Sequence, residues 1–475
     1  MTRRAVALAL GLAACAPSAV SAPAAETNAV SECDYRVRVE SAEPLWVDVA
    51  ASCRGRAVRG LESDDARIAN AVSSVWSDRG TTLRRGNAFL LESDARAVTF
   101  RYRIDLDELA KRRGHASLAL RSGDSLLAPS SSYLLYPWPL DVGIPVRVYF
   151  EAPASIEVAS GMTREGDHYR LEAHEIPVST YSAFGKLTRQ VVEADARNAE
   201  VDIAVLDGPL AVSPRFLARW VEQRARAVAS FYGAFPARRA SVFVVPIPAK
   251  NEVLFGNLLP ESSPAAELLV GSLADESALS RDWMLVHELF HIGVPSFHAE
   301  GKWFDEGLAT YFEPIIRARA GLLDPLDAWR EFRLQMPRAE RALTRDGLEH
   351  SEEMYWGGAV FCLLADIEVR KKSNGRIGLE DGLRRVLAAG GAASDVWPLS
   401  KTLELADTAF PEPVLVPLWK RYGAKPAPLE LEATFEALGV ERAATGISLS
   451  ERAPLAWVRR AIFEPSSMPS VNATR

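Results

Sequence analysis

The stretch His287-Glu288-Leu289-Phe290-His291 decides how the rest of this sequence is interpreted. Ser280 and Asp282 before it predict a helix start, with Ser280 as the N-cap, and Gly293 and Pro295 after it predict a helix end. Residues four apart lie on one face of a helix, so the two imidazoles can bind the same ion. Two histidines at this spacing, with a glutamate after the first, are typical of a catalytic zinc site.

A catalytic zinc needs a third protein ligand, with the fourth position left to water. The run Trp303–Phe312 begins the next predicted helix, which has an apolar stripe and a stop at Gly321. Glu306 lies in its first turn, where a carboxylate is favoured. Antiparallel packing through the short loop at 294–302 would bring Glu306 over the two histidines.

We therefore predict that Zn²⁺ is bound by His287, His291 and Glu306, with Asp305 and Glu300 as the alternative acidic ligands. Glu288 is placed to reach water at the metal rather than the metal itself. Asp305 is also a candidate to hydrogen-bond a ligand histidine. Two further histidines, His298 and His350, are candidates to line the same cleft.

The composition bounds the class of protein. The chain has 475 residues, 48% of them hydrophobic and 25% charged, which suits two to four globular domains. A net charge of -7 argues against a nucleic-acid-binding protein, which would carry a basic patch. The charge does not indicate a substrate, and the peptide or protein substrate that we expect follows from the zinc motif. No stretch after the N-terminus is long and apolar enough to predict a transmembrane helix.

Residues 1–25 are predicted to be an export signal. A basic start at 2–4 precedes a short apolar run at 5–14. Leu12-Ala13-Ala14-Cys15 is similar to a bacterial lipobox, in which Cys15 would carry a lipid anchor, and the alternative is ordinary cleavage near Ala22 or Ala24. We expect the bacterial periplasm or cell envelope. Cys33 and Cys53 could form a disulfide there, and Cys362 reads as a buried thiol.

The fold class predicted from the pattern is α+β with two domains. Residues 26–205 alternate with period two and predict an antiparallel β-sandwich. Residues 206–440 predict a mainly helical catalytic domain, with a helix from Pro214, a strand at 240–245 and a loop over 247–268. Residues 441–475 are predicted to be a C-terminal tail.

At the quoted motifs the sequence resembles the gluzincin metallopeptidases, and it looks closest to their glycyl-aminopeptidase-like branch. The resemblance covers roughly 205–440. It rests on the zinc motif, on Trp303–Tyr311, on Arg317–Leu322, on Tyr355–Ala359 and on Asp366–Arg370. It implies a thermolysin-like catalytic domain, and a role for the hydroxyl of Tyr355 in stabilising the tetrahedral intermediate.

Some features depart from the family pattern. Fourteen residues separate His291 from Glu306, a shorter loop than in the better-known aminopeptidases. The Gly-x-Met-Glu-Asn motif that recognises a free amine is missing, and Phe255–Asn257 stands about in its place without an acid. Glu261 and Glu267 are candidate substitutes. The predicted function is zinc-dependent peptide hydrolysis, terminal or internal. The alternative is an inactive zinc-binding envelope lipoprotein that serves as a binding module.

Overall fold

The computed structural model describes residues 31–42, 44–111, 118–178, 180–261, 263–345, 347–350, 353–444 and 446–464. The predicted signal peptide, the lipid-anchor candidate Cys15 and residues 465–475 lie outside these ranges. The expectations about them stay predictions.

The N-terminal part of the chain is built mainly from strands. Every second residue of the first strand is buried, from Cys33 through Tyr35 and Val37 to Val39, as period-two alternation predicts. The elements in chain order are β1 (Glu32–Ala42), β2 (Leu45–Glu62), α1 (Ala66–Ala71), β3 (Val72–Ser77), β4 (Gly80–Thr81), β5 (Leu83–Arg85), β6 (Ala88–Asp105), α2 (Leu106–Lys111), β7 (Leu120–Ser122), β8 (Ser125–Pro129), β9 (Tyr136–Trp138), β10 (Pro145–Glu151), β11 (Glu157–Ser160), β12 (Thr163–Glu165), β13 (His168–Glu172) and β14 (Tyr181–Gly185).

These strands form two sheets that share one core. The first has the order β12-β13-β10-β1-β2-β6-β3-β4, with β5 on β6 and β9 on β2, and the second has the order β11-β14-β8-β7. The strands of the first sheet are not all antiparallel as predicted, because β1 pairs with β10 in parallel. A disulfide joins Cys33 of β1 to Cys53 of β2.

A third sheet follows the first two along the chain. Its elements are β15 (Leu187–Glu193), β16 (Glu200–Leu206), α3 (Pro214–Tyr232), β17 (Arg239–Ile247), β18 (Val253–Leu259) and β19 (Ala265–Gly271). The strand order is β15-β16-β17-β19-β18, which leaves β18 at an edge. The sheet includes residues on both sides of position 205, and the domain boundary placed there stays a prediction.

The loop predicted over 247–268 is wrong, because half of this range forms β18 and part of β19. The Pro and Ser residues that suggested a loop lie outside the two strands, at Pro248 before β18 and at Pro260, Ser263 and Pro264 between β18 and β19. The strands themselves are short apolar runs without clear alternation. Such runs do not reveal their secondary structure by periodicity.

The remainder is largely helical. It comprises α4 (Glu276–Arg281), α5 (Met284–His291), α6 (Lys302–Arg319), α7 (Pro325–Arg345), α8 (Met354–Ser373), α9 (Leu379–Ala388), α10 (Leu399–Asp407), α11 (Leu415–Tyr422), α12 (Leu431–Leu438), β20 (Val440–Ala443), β21 (Gly446–Leu449) and α13 (Ala456–Phe463). The chain is thus sheet-rich at its N-terminal end and helical towards its C-terminal end. The segment predicted as a tail carries β20, β21 and α13, and Val458 and Ile462 of α13 lie in the main core. In the described ranges we find no helix that is long and apolar enough to cross a membrane.

Candidate metal centre

The helix that carries the quoted motif begins at Met284, and an aspartate rather than the predicted serine accepts hydrogen bonds from its first turn. Asp282 accepts backbone N–H bonds from Met284 at 3.2 Å and Leu285 at 3.3 Å, which caps α5. Ser280 lies inside α4, where its hydroxyl donates to the carbonyl of Glu276 at 2.6 Å. The predicted N-cap at Ser280 is therefore wrong. Serine and aspartate are both common capping residues. Because the short helix α4 includes Ser280, only Asp282 is left to cap the start of α5.

The buried face of α5 fixes the direction of its histidines. Leu285, Val286, Leu289 and Phe290 are fully buried in the main core. At the helix end the hydroxyl of Tyr232 donates to the carbonyl of Phe290 at 3.0 Å. The residues left for the other face, at positions i and i+4, are the two histidines, and both line a cleft.

Three side chains converge at one point in this cleft. Nε2 of His287 lies 3.3 Å from Oε2 of Glu306, and Nε2 of His291 lies 3.6 Å from the same oxygen. Ligand atoms about 2.0 to 2.1 Å from a tetrahedral zinc stand about 3.3 to 3.4 Å apart. Two imidazoles and one carboxylate are also a donor set that zinc accepts. The residues present therefore fit a zinc ion.

The two histidines are held in different ways. Nδ1 of His291 lies 2.8 Å from Oδ1 of Asp305, whose other oxygen accepts from Lys302 at 3.2 Å. A carboxylate on the far nitrogen fixes the orientation of a ligand imidazole. His287 has no such partner, since its buried Nδ1 makes no hydrogen bond among the described residues. Its ring instead packs against the rings of Trp283 and Tyr355.

The surroundings of the cleft shift the pKa values of Glu306 and Glu288 in opposite directions. Burial would raise the pKa of Glu306, but hydrogen bonds from His287 and His291 outweigh it and hold that pKa well below its usual range. Burial raises the pKa of Glu288, although the two histidines oppose this. A carboxyl with a raised pKa is suited to exchanging protons near neutral pH.

Strand β18 lies directly against Glu288. A Cβ on Gly256 would lie 2.9 Å from Cγ of Glu288 and 2.8 Å from Cγ of Met284. Only a glycine lets the strand approach so closely without displacing the side chains below it. The unpaired edge of the third sheet therefore runs along the cleft next to Glu288.

Tyr355 reaches the cleft from another helix. It lies in the first turn of α8, its side chain is 48% exposed, and its ring centroid stands 6.3 Å from that of His287. Burial raises the pKa of its hydroxyl, and the charge of Glu306 adds to this. A neutral phenol near a metal site is a hydrogen-bond donor.

The structure brings together the five residues predicted for the site, and it places Asp305 in the same cleft beside His291. His287, Glu288, His291, Glu306 and Tyr355 all line the same cleft. His298 and Glu300 are exposed in the loop before α6. His350 falls in a short turn before α8, and its side chain lies outside the described residues.

The two candidate amine-recognising acids lie near the cleft wall. Glu267 of β19 is 2% exposed and pairs across the sheet with Asn257, whose amide donates to the hydroxyl of Tyr181 at 2.6 Å. Burial raises the pKa of Glu267 to about 7. Burial also raises the pKa of Glu261 to about 7, with added repulsion from Glu175 and Asp395.

Sequence reasoning assigned no role at the metal centre to several residues that the structure places there. Asp282, Trp283, Gly256, Asn257 and Lys302 all cap, flank or line it. Only Asp282 carried a usable signal, as a capping residue two positions before an apolar run. The contacts of the other four depend on how β18 and α6 pack around α5, which spacing along the chain does not reveal.

The fold is similar to that of solved metallopeptidases. An aminopeptidase N family protein from Idiomarina loihiensis superposes with a TM-score of 0.65 and 13% identity over 88% of this chain and 82% of that chain. An M1 zinc metallopeptidase from Deinococcus radiodurans gives a TM-score of 0.54 and 15% identity over 85% and 94%. A mutant of it bound to a Tyr-Ser-Ala substrate gives 0.53 and 14% over 84% and 95%.

No family model matches the chain, and no curated protein matches it in sequence. Identities this low show the fold alone. The chain therefore has the fold of the M1 zinc metallopeptidases, a gluzincin peptidase fold.

Proposed function

We propose that this chain is a zinc-dependent peptidase that hydrolyses peptide bonds. The observation that carries the proposal is the convergence of His287, His291 and Glu306 on one point, with Glu288 and Tyr355 beside it in the same cleft. The likeness to M1 zinc metallopeptidases supports the same reaction class. His287, His291 and Glu306 would hold the zinc.

Zinc, when bound, supplies a Lewis acid that polarises the scissile carbonyl and lowers the pKa of water. The protein's own residues would do the remaining work. The carboxylate of Glu288 takes a proton from the attacking water as the new C–O bond forms. It gives that proton to the amine nitrogen as the C–N bond breaks.

Tyr355 would stabilise the charge that develops on the carbonyl oxygen. Its hydroxyl is accessible in the cleft, and its raised pKa keeps it protonated. One such donor is worth about 3 kcal/mol in the transition state. The edge of β18 offers backbone N–H and C=O groups to an extended peptide, which could add to the sheet as another strand.

The proposal extends to where the protein works. Export to the periplasm or cell envelope is supported by the Cys33–Cys53 disulfide, since such bonds persist in oxidising compartments. A lipid on Cys15 remains part of this proposal. Detection of the mature N-terminus by mass spectrometry of the natively expressed protein would test it.

The reaction is tested by incubating the zinc-loaded protein with a mixed peptide library and reading the products by mass spectrometry. A chelated sample and a chelated sample with zinc restored run beside it. We expect cleavage in the first and third samples only, with the cut positions separating terminal from internal cleavage. Bound zinc without any cleavage would contradict the proposal and favour a binding module.

A further inference from the structure

A cavity of about 320 Å³ opens between α3, the end of α6 and α9. Gln223, Ser230 and Ala320 are exposed at its mouth. Arg319 also lines it, and a helical rise of about 1.5 Å per residue along α6 puts this arginine about 20 Å from Glu306. The cavity is therefore separate from the metal cleft, and its volume suits a small ligand.

Three arginines from three helices line this cavity. They are Arg226 of α3, Arg319 of α6 and Arg384 of α9, and none of the described residues that line the cavity is acidic. Like charges gathered around one space repel one another, and an anion placed between them removes that repulsion. The wall of the cavity is therefore complementary to a negatively charged group.

Arg319 is held in place and still has an unused donor. Its Nη2 donates to Oε1 of Glu380 and to the carbonyl of Ile462, both at 2.8 Å. The side chain is only 9% exposed, and its buried Nε makes no hydrogen bond among the described residues. A buried donor without a partner has lost its water and gained nothing in return. Arg319 therefore has hydrogen-bonding capacity that the described protein does not satisfy.

The carboxylate behind Arg319 is shared with other arginines. Nη2 of Arg370 lies 3.2 Å and 3.0 Å from the two oxygens of Glu380. Burial would raise the pKa of Glu380, but the charges of Arg370, Arg319 and Arg384 outweigh it and hold that pKa at about 2. The potential at this wall is therefore positive enough to keep a fully buried carboxyl group ionised.

The other two arginines are anchored by acids that do not line the cavity. Arg226 donates from Nε to Glu222 at 2.9 Å, and Arg384 donates from Nη1 to Asp381 at 2.8 Å. Arg384 also donates from Nε to the carbonyl of Phe231 at 2.7 Å. These contacts hold both guanidinium groups in place without occupying the cavity.

The rest of the wall decides which kind of anion fits. Ala227, Phe231, Ile316 and Leu322 line the cavity with apolar side chains. An inorganic ion would face them without any hydrogen bond, whereas a carboxylate on an apolar body would meet both kinds of wall. We propose that this cavity binds a small organic carboxylate, with its head on the arginines and its body against the apolar residues. The proposal goes beyond the peptidase reaction and does not depend on it.

Calorimetry on the full chain, with zinc bound and after chelation, tests this site. The probes are hexanoate, its neutral analogue hexanamide, and inorganic phosphate. We expect hexanoate to bind about tenfold more tightly than hexanamide in both samples, and phosphate to bind more weakly than hexanoate. N-acetyl-leucine is titrated beside hexanoate. If it binds more tightly, the natural ligand is a peptide end, and if hexanoate does, the natural ligand is a fatty acid.

Three variants locate the binding. Arg226→Gln should weaken the binding of hexanoate about fivefold. Ala320→Leu keeps all three arginines and narrows the mouth, and it should weaken the binding as well. The control Arg385→Gln removes an exposed arginine that does not line the cavity and should leave the affinity unchanged. Thermal unfolding shows that each variant is folded.

Equal binding of hexanoate and hexanamide would overturn the proposal, because the arginines would then select no charge. Tighter binding of phosphate than of hexanoate would overturn the ligand class. Hexanoate that binds only while zinc is present, or that binds both Arg226→Gln and Ala320→Leu with full affinity, would lie elsewhere and would also overturn it. A protein that cleaves no peptide would leave this test intact, since the titration needs no turnover.

Discussion

A Cβ on Gly307 would lie 2.3 Å from the Cα of Gly358, so α6 and α8 meet backbone to backbone at these two residues. Glu306 precedes the first glycine, and Tyr355 lies almost one turn before the second. The contact therefore sets the distance between the helix that offers the third metal ligand and the helix that offers the phenol. This close approach is a physical reason why a glycine follows Glu306.

Substituting Gly358 tests this contact. A Cβ there would lie 2.0 Å from the carbonyl oxygen of Trp303, which is backbone and cannot turn aside. We expect Gly358→Ala to lower the free energy of unfolding by about 3 kcal/mol and to lower peptidase activity. The matched control is Gly357→Ala, whose Cβ would meet Leu348 at an ordinary 3.4 Å. Thermal unfolding should show no loss for that variant, because alanine has the better helix propensity.

Asp305 orients His291, so its loss should weaken metal binding. We expect Asp305→Asn to reduce zinc affinity about 10- to 100-fold, with little change in stability. Competition with a chelating dye measures this affinity. Asp327→Asn, an exposed change on α7, should leave it unchanged. If Asp305→Asn binds zinc as tightly as wild type, Asp305 only stabilises the start of α6 and does not orient His291.

Asp366 ties three helices together. It lies 3.0 Å from Nε of Arg370, accepts from the hydroxyl of Tyr311 at 2.8 Å and accepts from the backbone N–H of Leu379 at 2.9 Å. We expect Asp366→Ala to cost about 3 to 5 kcal/mol of stability, read from denaturant unfolding. The control Glu368→Ala removes an exposed pair with Lys371 and should cost less than about 1 kcal/mol.

Glu267 gives the stability of the fold a dependence on pH. Burial raises its pKa from 4.5 to about 7. Between these values the folded chain keeps a proton that the unfolded chain has released, so the free energy of unfolding falls as the pH rises. The full effect amounts to about 3 kcal/mol.

Glu267→Gln should remove this contribution, so that its stability falls less steeply than that of wild type between pH 4.5 and about 7. Urea unfolding across the window measures both slopes. Glu200→Gln, an exposed change in the same sheet, should keep the wild-type slope. Equal slopes for wild type and Glu267→Gln would mean that Glu267 is charged in the folded protein.

The core of the site was predictable because it depends on short-range geometry. The spacing of His287 and His291 places both on one helix face whatever surrounds them. Glu306 followed from the need for a third ligand at the start of the next helix. Only the antiparallel packing of two helices joined by a short loop had to be assumed. The structure brings the three side chains together.

The parts that escaped prediction depend on tertiary packing. β18 and β19 are short apolar runs whose strand character comes from pairing with β17 and each other. Gly256 matters because Glu288 lies beneath it, and Trp283 stands out because about half of it stays exposed beside His287. Neither fact has a local signature in the sequence.

The most direct test of the central claim is the turnover rate of Glu288→Gln measured together with its zinc content. Glu300→Gln, which changes an exposed glutamate in the loop before α6, is the matched control. If Glu288 carries the proton, Glu288→Gln should hold one zinc as wild type does and cleave about a thousandfold more slowly, while Glu300→Gln cleaves at the wild-type rate. Near-wild-type cleavage by zinc-loaded Glu288→Gln would contradict the mechanism.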